Sequence, residues 1–598
     1  MNILKYTNKL FFLIILGIFS YVLFFLISNT SRGFDITDDS YYILAAQSQS
    51  DIFSILLHEG YYTGILYSLS GYNLSYFRMI GILVLISISG WFAIELHRYI
   101  ATKYTFAINK FDKFLFIVPI MLGSLSYYTL WLITPSYNWL SLLSVILVIL
   151  SLIRVINNKE LNYERYVTLD YILLSFSLSL AFMAKPTTAL SLVFISVLFI
   201  WYEWKNINIK KALLSVVILT IIIVIAHIFL LDGGFSSYYY RLSEGMERLA
   251  LLGGGHDLGS RFNEMTKLTR QFFLREFYFY KINNFYIYGS LLIVFVLYIF
   301  KNKINSLNLY FIFMSIILVT YSYSMLNYGL IQDFRFMWIR VIELLFLNFI
   351  LIIISLLFMD NKMSLLKEIT KVIGLLFLMI LGSFACKFGT NNNIIFAMSD
   401  SSIFIVSSII VLNFTFDRLL NIRIFTTLSG LILSVFIYFL INNAYEHPYR
   451  LITDIKEQNQ TVELLGTLKV DKTTKVYIED LQKISSVNKS TDEKISLIDM
   501  TGGSPGANII LDADFFGTQW LIGGYPGSNE YVYEILKTYQ DSEKLHKAWI
   551  LIAPNGSRKI DLNILNQLGL NFPDKYKKIG TVKTADRDEI QELWKPID

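Results

Sequence analysis

Long apolar runs recur between residues 11 and 443 of this chain, each close to the length that a helix needs to cross a lipid bilayer. A span takes about 20 predominantly apolar residues to cover about 30 Å of hydrocarbon. Runs at 11–28, 77–96, 114–134, 138–156, 169–184, 187–204, 212–231, 284–300, 308–327, 338–358, 371–386, 394–416 and 424–443 meet that requirement, about thirteen in all. In lipid every backbone amide and carbonyl must pair inside its own segment, so this part of the chain is restricted to a bundle of helices. Composition points the same way. With 598 residues, 55% of them hydrophobic and 16% charged, the chain is too apolar for a soluble globule. The expected fold class is mainly α, a polytopic membrane helix bundle.

The basic residues fall in short loops between the runs and form no single patch, so the net charge of +5 gives no reason to expect a nucleic-acid partner. Their distribution sets an orientation instead, because short cytosolic loops collect Lys and Arg. Alternate loops carry Arg98, Lys103, Lys110 and Lys113, then Arg154, Lys159 and Arg165, then Lys205, Lys210 and Lys211, and later Arg418 and Arg423. The loops between them hold single cations such as Lys185, Arg335 and Lys387. This pattern predicts a multi-pass protein of the cytoplasmic membrane with its N-terminus in the cytosol and its C-terminal segment outside, which is periplasmic if the cell is Gram-negative. The first run follows Lys5 and Lys9 and resembles a signal peptide, but Ser28-Asn29-Thr30-Ser31-Arg32 is a poor cleavage site, and it reads as a retained anchor. The single cysteine, Cys386, reads as a packed helix residue.

Two organisational units are expected: a membrane part over 1–444, with long outer loops at 29–76 and 232–283, and a soluble extracytoplasmic α/β domain over 445–598. In that domain Lys475-Val476-Tyr477-Ile478, Ile495-Ser496-Leu497-Ile498 and Trp549-Ile550-Leu551-Ile552 read as strands, with helices near 530–539 and 561–568. In the first outer loop Tyr41, Leu44 and Ala45, then Phe53, Leu56 and Leu57, recur at helical spacing and predict one or two surface helices. The Gly-rich stretches Thr501–Gly506 and Gly523–Ser528 lack both the Lys-Ser/Thr of a phosphate loop and the glycine order of a dinucleotide site, so they read as turns.

Chemistry concentrates after the first span, in Phe34-Asp35-Ile36-Thr37-Asp38-Asp39-Ser40-Tyr41-Tyr42. Thr37 with two acids behind it fits a helix N-cap and first turn. It equally fits a site: a carboxylate near a membrane surface, beside a like charge, has its pKa raised toward the range useful to a general base acting on a hydroxyl. Two adjacent acids could also hold a divalent cation through oxygen ligands, and the residues alone leave these readings open. His58-Glu59-Gly60-Tyr61-Tyr62 forms a second cluster in the same loop. Ala184-Lys185-Pro186-Thr187 places a lysine at a Pro-marked helix boundary, and Arg241, Arg248, Arg261, Arg270 and Arg275 lie among aromatic residues in the second outer loop. Asp333-Phe334-Arg335-Phe336 places another arginine before a span, where its planar fork suits phosphate.

An Asp-acid-x-Tyr-Tyr stretch after the first span, about thirteen helices in this orientation and an outer C-terminal domain together resemble the GT-C glycosyltransferases. The branch resembled includes the aminoarabinose transferases of lipid A and the protein O-mannosyltransferases. The resemblance implies a membrane enzyme that moves a sugar, a hexose or a pentose, from a polyprenyl-phosphate donor to a hydroxyl acceptor of a cell-envelope glycan, lipid or protein, such as lipopolysaccharide, with inversion. It implies Asp38 as the catalytic base with Asp39 as second acid, Lys185, Arg335, Arg241 and Arg270 around the donor phosphate, and Tyr41, Tyr42, His58 and Glu59 toward sugar or acceptor. No cofactor is implied beyond a divalent metal, whose presence stays open. The competing classes are a secondary transporter or lipid flippase and an en bloc oligosaccharide ligase. Charges gathered at outer helix ends, and not at mid-membrane, argue against transport.

Overall fold

A computed structural model describes residues 2–48, 58–104, 110–161, 163–203, 209–253, 362–388, 400–419, 424–490 and 494–597. The expected spans at 284–300, 308–327 and 338–358 lie outside the described residues, as do Arg270 and Arg335. The protein is an integral membrane helix bundle that carries a C-terminal α/β region. Seven described helices are long and apolar enough to span a membrane, or up to eight if a bent pair is counted as one span.

The bundle comprises α1 (Asn2–Ser28), α4 (Leu74–Tyr104), α5 (Lys110–Leu125), α6 (Tyr137–Glu160), α7 (Glu164–Ala184), α8 (Pro186–Tyr202), α9 (Ile209–His227), α11 (Lys362–Ala385), α12 (Ile403–Leu419) and α13 (Ile424–Glu446). Helix α6 is the central post: it packs on α4, α7, α8 and α11, and almost all of its apolar side chains are buried. It begins where the Ser136 side chain accepts the amide of Trp139, and α8 begins with Pro186 at a position that needs no amide donor. At the end away from the C-terminal region the charges are paired, with Arg154 held by Glu95 and Asp170, Lys103 by Glu203 and Arg418 by Asp112.

Two shorter helices, α2 (Asp38–Gln47) and α3 (Glu59–Leu69), fill the first long loop. A third, α10 (Phe235–Leu251), leaves the end of α9 at 83°. The bend falls at Gly233-Gly234, with φ of 73° and 155°, a backbone that a side chain would strain.

The C-terminal region opens with the hairpin β1 (Gln460–Glu463) and β2 (Thr467–Val470). It continues through α14 (Lys472–Asn488), β3 (Leu497–Asp499), α15 (Gly506–Ile510), α16 (Ser528–Lys537), α17 (Glu543–His546), β4 (Trp549–Ile552), α18 (Asn563–Gln567), β5 (Tyr576–Lys583) and β6 (Ile590–Pro596). Four strands form one mixed sheet in the order β3-β4-β6-β5, with β3 and β4 parallel. The strands expected at 495–498 and 549–552 are present as β3 and β4, and helices lie where 530–539 and 561–568 were expected. Residues 475–478 are a correction, since they lie within α14. Asp471 caps that helix by accepting the amides of Thr473 and Thr474, which commits the following residues to a helical turn and puts Tyr477, Ile478 and Leu481 on its buried face.

The sheet is apolar on both faces, because successive strand residues point to opposite sides. Leu497, Trp549, Leu551 and Leu593 face a core that also contains Phe34, Ile36, Ile43, Leu44, Tyr67, Leu74 and Phe77 of the first loop and α4. Ile498, Ile550 and Ile552 face a second core, which takes in Leu252 from the end of α10. The backbone is continuous across this contact as well: Lys469 donates to the carbonyl of Ser31 and accepts from the amide of Gly33, both at 2.8 Å. The C-terminal region is therefore seated on the first loop and on α10, and its hydrophobic cores are completed by them.

Candidate functional site

The three acids of the first loop fold into three different environments. Asp35 is the cap of α2: its carboxylate accepts the Thr37 amide at 2.9 Å, the Thr37 hydroxyl at 2.7 Å and the amides of Asp38 and Asp39 at 2.8 and 3.3 Å. Thr37 itself makes no side-chain cap, so the capping role expected of it belongs to Asp35. Burial, with the charges of Asp38 and Asp39 added, pushes the Asp35 pKa up to about 7 against the pull of the Thr37 bonds.

Asp39 is directed inward. Its Oδ2 lies 2.7 Å from Nη2 of Arg78, a residue of α4 whose guanidinium also donates to Thr134 and to the carbonyls of Thr30, Arg32 and Gly33. Such a buried pair, tied to loop carbonyls, holds the loop against the bundle.

Asp38 alone of the three keeps a substantial part of its side chain exposed, 22%. Burial of the rest raises its pKa, while Arg450, and more weakly Arg558, pull it back. Nε of Arg450 stands 3.3 Å from Asp38 Oδ2.

Beside Asp38 the site is walled by tyrosines. The rings of Tyr41 and Tyr42 are 5.6 Å apart, and Tyr42 meets Tyr137, the first residue of α6, edge-on at 5.9 Å. Burial holds the phenols of Tyr41 and Tyr42 well above their usual pKa, so both stay protonated donors. Tyr137 joins two halves of the site: it lies in the field of Asp38 and Glu59 on one side and of Asp400 on the other.

Lys185 stands on that second side. Its Nζ is 5.4 Å from the centre of the Tyr137 ring and 3.4 Å from both Asn138 Oδ1 and the carbonyl of Cys386. The Lys185-Pro186-Thr187 turn is docked on the turn after α11, with Thr187 donating to the carbonyl of Phe388 at 2.6 Å. This brings in Lys387, buried and paired with Asp400. Two ammonium groups with one carboxylate leave these three side chains with a net positive charge. Cys386 is buried in the turn that follows α11.

Glu59 is buried, one of its carboxylate oxygens has no hydrogen-bond partner among the described residues, and burial lifts its pKa to about 7. His58 lies on the other flank, with Nε2 3.3 Å from Asp232 Oδ2. Burial and the Arg241 charge lower its pKa to about 4 against the pull of Asp232, so near pH 7 the ring is neutral and the contact is a hydrogen bond from Nε2–H. Arg241 is buried and donates from Nε to the same Asp232 at 2.7 Å, and Arg248 pairs with Glu244 at 2.5 Å. These two arginines thus pair with neighbouring carboxylates.

Among the described residues no three His, Cys, Asp or Glu side chains converge as metal ligands. Of the Asp38-Asp39 pair, Asp39 Oδ2 is held by Arg78, while Asp39 Oδ1 is buried without a hydrogen-bond partner among the described residues.

The C-terminal region roofs the site. The Gly506 amide donates to the Ile36 carbonyl at 2.9 Å, Arg558 lies in the field of Asp38, and Tyr531 in that of Tyr41. No motif marks Arg450, Arg558, Tyr137, Lys387 or Asp400 as a site residue. The glycine-rich stretches that read as turns were the available signal, since both lie in this roof.

No family model matches the chain, and no curated protein matches it. Two solved structures are similar over nearly its whole length: ArnT from Cupriavidus metallidurans in the apo state, and the same protein bound to undecaprenyl phosphate. Each is 10% identical, with 98% of this chain and 97% of that chain covered and a TM-score of 0.37. At that level no residue of this chain takes a role from either.

Proposed function

We propose that this protein is a membrane glycosyltransferase of the GT-C type, moving a sugar from a polyprenyl-phosphate donor to a hydroxyl of a cell-envelope acceptor at the outer face of the cytoplasmic membrane. The observation that carries this reading is the division of labour among the acids. Asp35 caps α2, Asp39 is locked to Arg78, and Asp38 is left partly exposed with a raised pKa, across a tyrosine pair from Lys185 and Lys387. A base and a cationic corner on opposite sides of an aromatic floor suit a one-step displacement.

Asp38 takes the proton of the acceptor hydroxyl as its oxygen bonds to the anomeric carbon. The carbon–oxygen bond to the lipid phosphate breaks on the opposite face, and the phosphate leaves as an anion toward the lysines. Configuration at the anomeric carbon inverts. The energy comes with the donor, and the prenyl tail lies against apolar helices. In this arrangement the N-terminus is cytosolic, and the paired charges at the far ends of α4 to α7 lie on the cytosolic side.

Radiolabelled sugar passing from polyprenyl phosphate to an envelope fraction, in membranes with matched amounts of enzyme, tests the reading. Asp38→Asn should lower transfer by about 100-fold to 10,000-fold, the usual worth of a general base. Transfer at the wild-type rate in that variant would show that Asp38 is not the base.

A further inference from the structure

Arg558 belongs to the roof and, beyond its weak pull on Asp38, has no part in the scheme above. It is half-buried, its guanidinium lies 5.8 Å over the ring of Trp520, and it has no hydrogen-bond or ion-pair partner among the described residues. Its setting is built with care. The carbonyl of Arg558 presses on Gly502 and Gly523, where an added Cβ would stand 2.2 and 1.7 Å from that oxygen, so only glycine fits either position. Gly523 donates to the carbonyl of Gly502 at 2.9 Å, and Trp520 is pinned by its indole N–H to the same carbonyl at 3.1 Å. The same loop reaches the base through Gly506, which bonds to Ile36. Three loops are thus interlocked around the Arg558 backbone, and its guanidinium, over Trp520, lies close enough to Asp38 to act on that carboxylate.

A half-buried guanidinium that no carboxylate pairs, lying over an indole ring, is pre-organised to bind an oxyanion in its fork. Its side of the site decides which anion. Arg450, Asp39 and Arg558 are the charged neighbours that act on Asp38, whereas Lys185 contacts Asn138 and Cys386, and Lys387 pairs with Asp400, beyond the Tyr42-Tyr137 pair. We propose that Arg558, over Trp520, is an acceptor-side subsite that binds an oxyanion, phosphate or carboxylate, carried by the molecule whose hydroxyl Asp38 deprotonates. The acceptor is then an anionic glycan or phosphoglycan, held by charge at one point while its hydroxyl is presented to the base. This deepens the transferase reading and rests on it.

The test reads the subsite without turnover. The full chain in nanodiscs is treated with phenylglyoxal, which modifies accessible guanidinium groups, and labelling at Arg558 is measured by peptide mass spectrometry. Inorganic phosphate and glucuronate are the probes, with chloride at equal ionic strength as the control. The expected result is labelling of Arg558 in chloride that falls about threefold at millimolar phosphate or glucuronate, and less protection in Trp520→Leu, which removes the ring but no charge. Undecaprenyl phosphate added to the bilayer should leave Arg558 labelling unchanged. Absence of labelling in chloride, absence of protection by both probes, or protection by undecaprenyl phosphate, which would put Arg558 on the leaving-group side, overturns the proposal. A chain that shows this protection but transfers no sugar would retain the oxyanion site and lose the transferase reading, so the two failures are told apart.

Discussion

Arg78 of α4 and Asp39 of α2 form an ion pair with side chains 1% and 7% exposed, and Arg78 simultaneously gathers the carbonyls of Thr30, Arg32 and Gly33. The pair ties the loop to the bundle. Asp39→Asn should therefore act on stability first: breaking a buried pair from one side costs about 3–5 kcal/mol. Thermal unfolding in detergent should show Asp39→Asn melting well below wild type while Asp38→Asn melts close to it. Equal melting of Asp39→Asn and wild type, with transfer abolished, would move Asp39 into the chemistry.

As the base proposed above, Asp38 should set the acid limb of activity through its ionisation. A base works only when unprotonated, and its raised pKa makes transfer fall as pH drops through a value above the usual carboxylate range. Arg450 opposes that rise from 3.3 Å. Arg450→Gln should move the acid limb to higher pH, and Arg450→Lys should restore much of it. A pH profile of kcat/KM that stays in place in Arg450→Gln removes Arg450 from this role.

Glu59 carries a stability signature of its own. Its pKa in the folded chain is raised to about 7 from 4.5, so the folded state favours the protonated form. That contribution is fully present below the unfolded value and is lost as pH rises through about 7. Glu59→Gln keeps the shape without the charge. It should stabilise the protein at pH 8 by about 1–3 kcal/mol relative to wild type and converge with it near pH 4. A melting difference independent of pH would show that the carboxyl group is solvated.

The lysine corner predicts a split in kinetic constants. Lys185→Gln and Lys387→Gln should each raise KM for the polyprenyl-phosphate donor about tenfold and lower kcat as well, because the phosphate gains charge as it leaves. Initial rates against donor at fixed acceptor give both constants. Unchanged donor KM in both variants would place the phosphate elsewhere.

Gly506→Ala examines the seat of the roof. The new methyl would stand 2.8 Å from Ser40 Oγ and 3.0 Å from Ile36 Cα, displacing the turn that presents Asp38. Overpacking of this kind costs about 1–3 kcal/mol. Transfer should fall more than expression, and Ser40→Gly in the same chain should recover part of it. No recovery in the double variant would locate the damage in the Ile36 backbone.

Much of this arrangement was legible in the sequence for definite reasons. Apolar runs of span length are dictated by the bilayer, and α1, α4 to α9 and α11 to α13 overlap expected runs. The stretch 34–42 stood out because acids are rare next to a first span. What the residues could not reveal was which acid stays partly exposed: Asp35 is taken up by the local cap of α2, while Asp39 and Asp38 are told apart by partners further along the chain, Arg78 and Arg450. Residues 475–478 read as a strand because Val-Tyr-Ile is β-like locally, while the deciding cap, Asp471, lies outside that run. Tyr137, Lys387 and Asp400 carry no motif at all, and only the packing of α6, α8 and α11 brings them together.

The core shared by Phe34, Ile36, Ile43 and Leu44 with Leu497, Trp549 and Leu593 has a consequence for biogenesis. The ribosome delivers the first loop more than 400 residues before the strands that cover it. Until the C-terminal chain has been made and has folded back, α2 has an apolar face without its partner strands and Asp38 has no Arg450. A nascent chain, or one cut before Arg450, therefore exposes that face and should aggregate or be proteolysed more readily than the full-length chain.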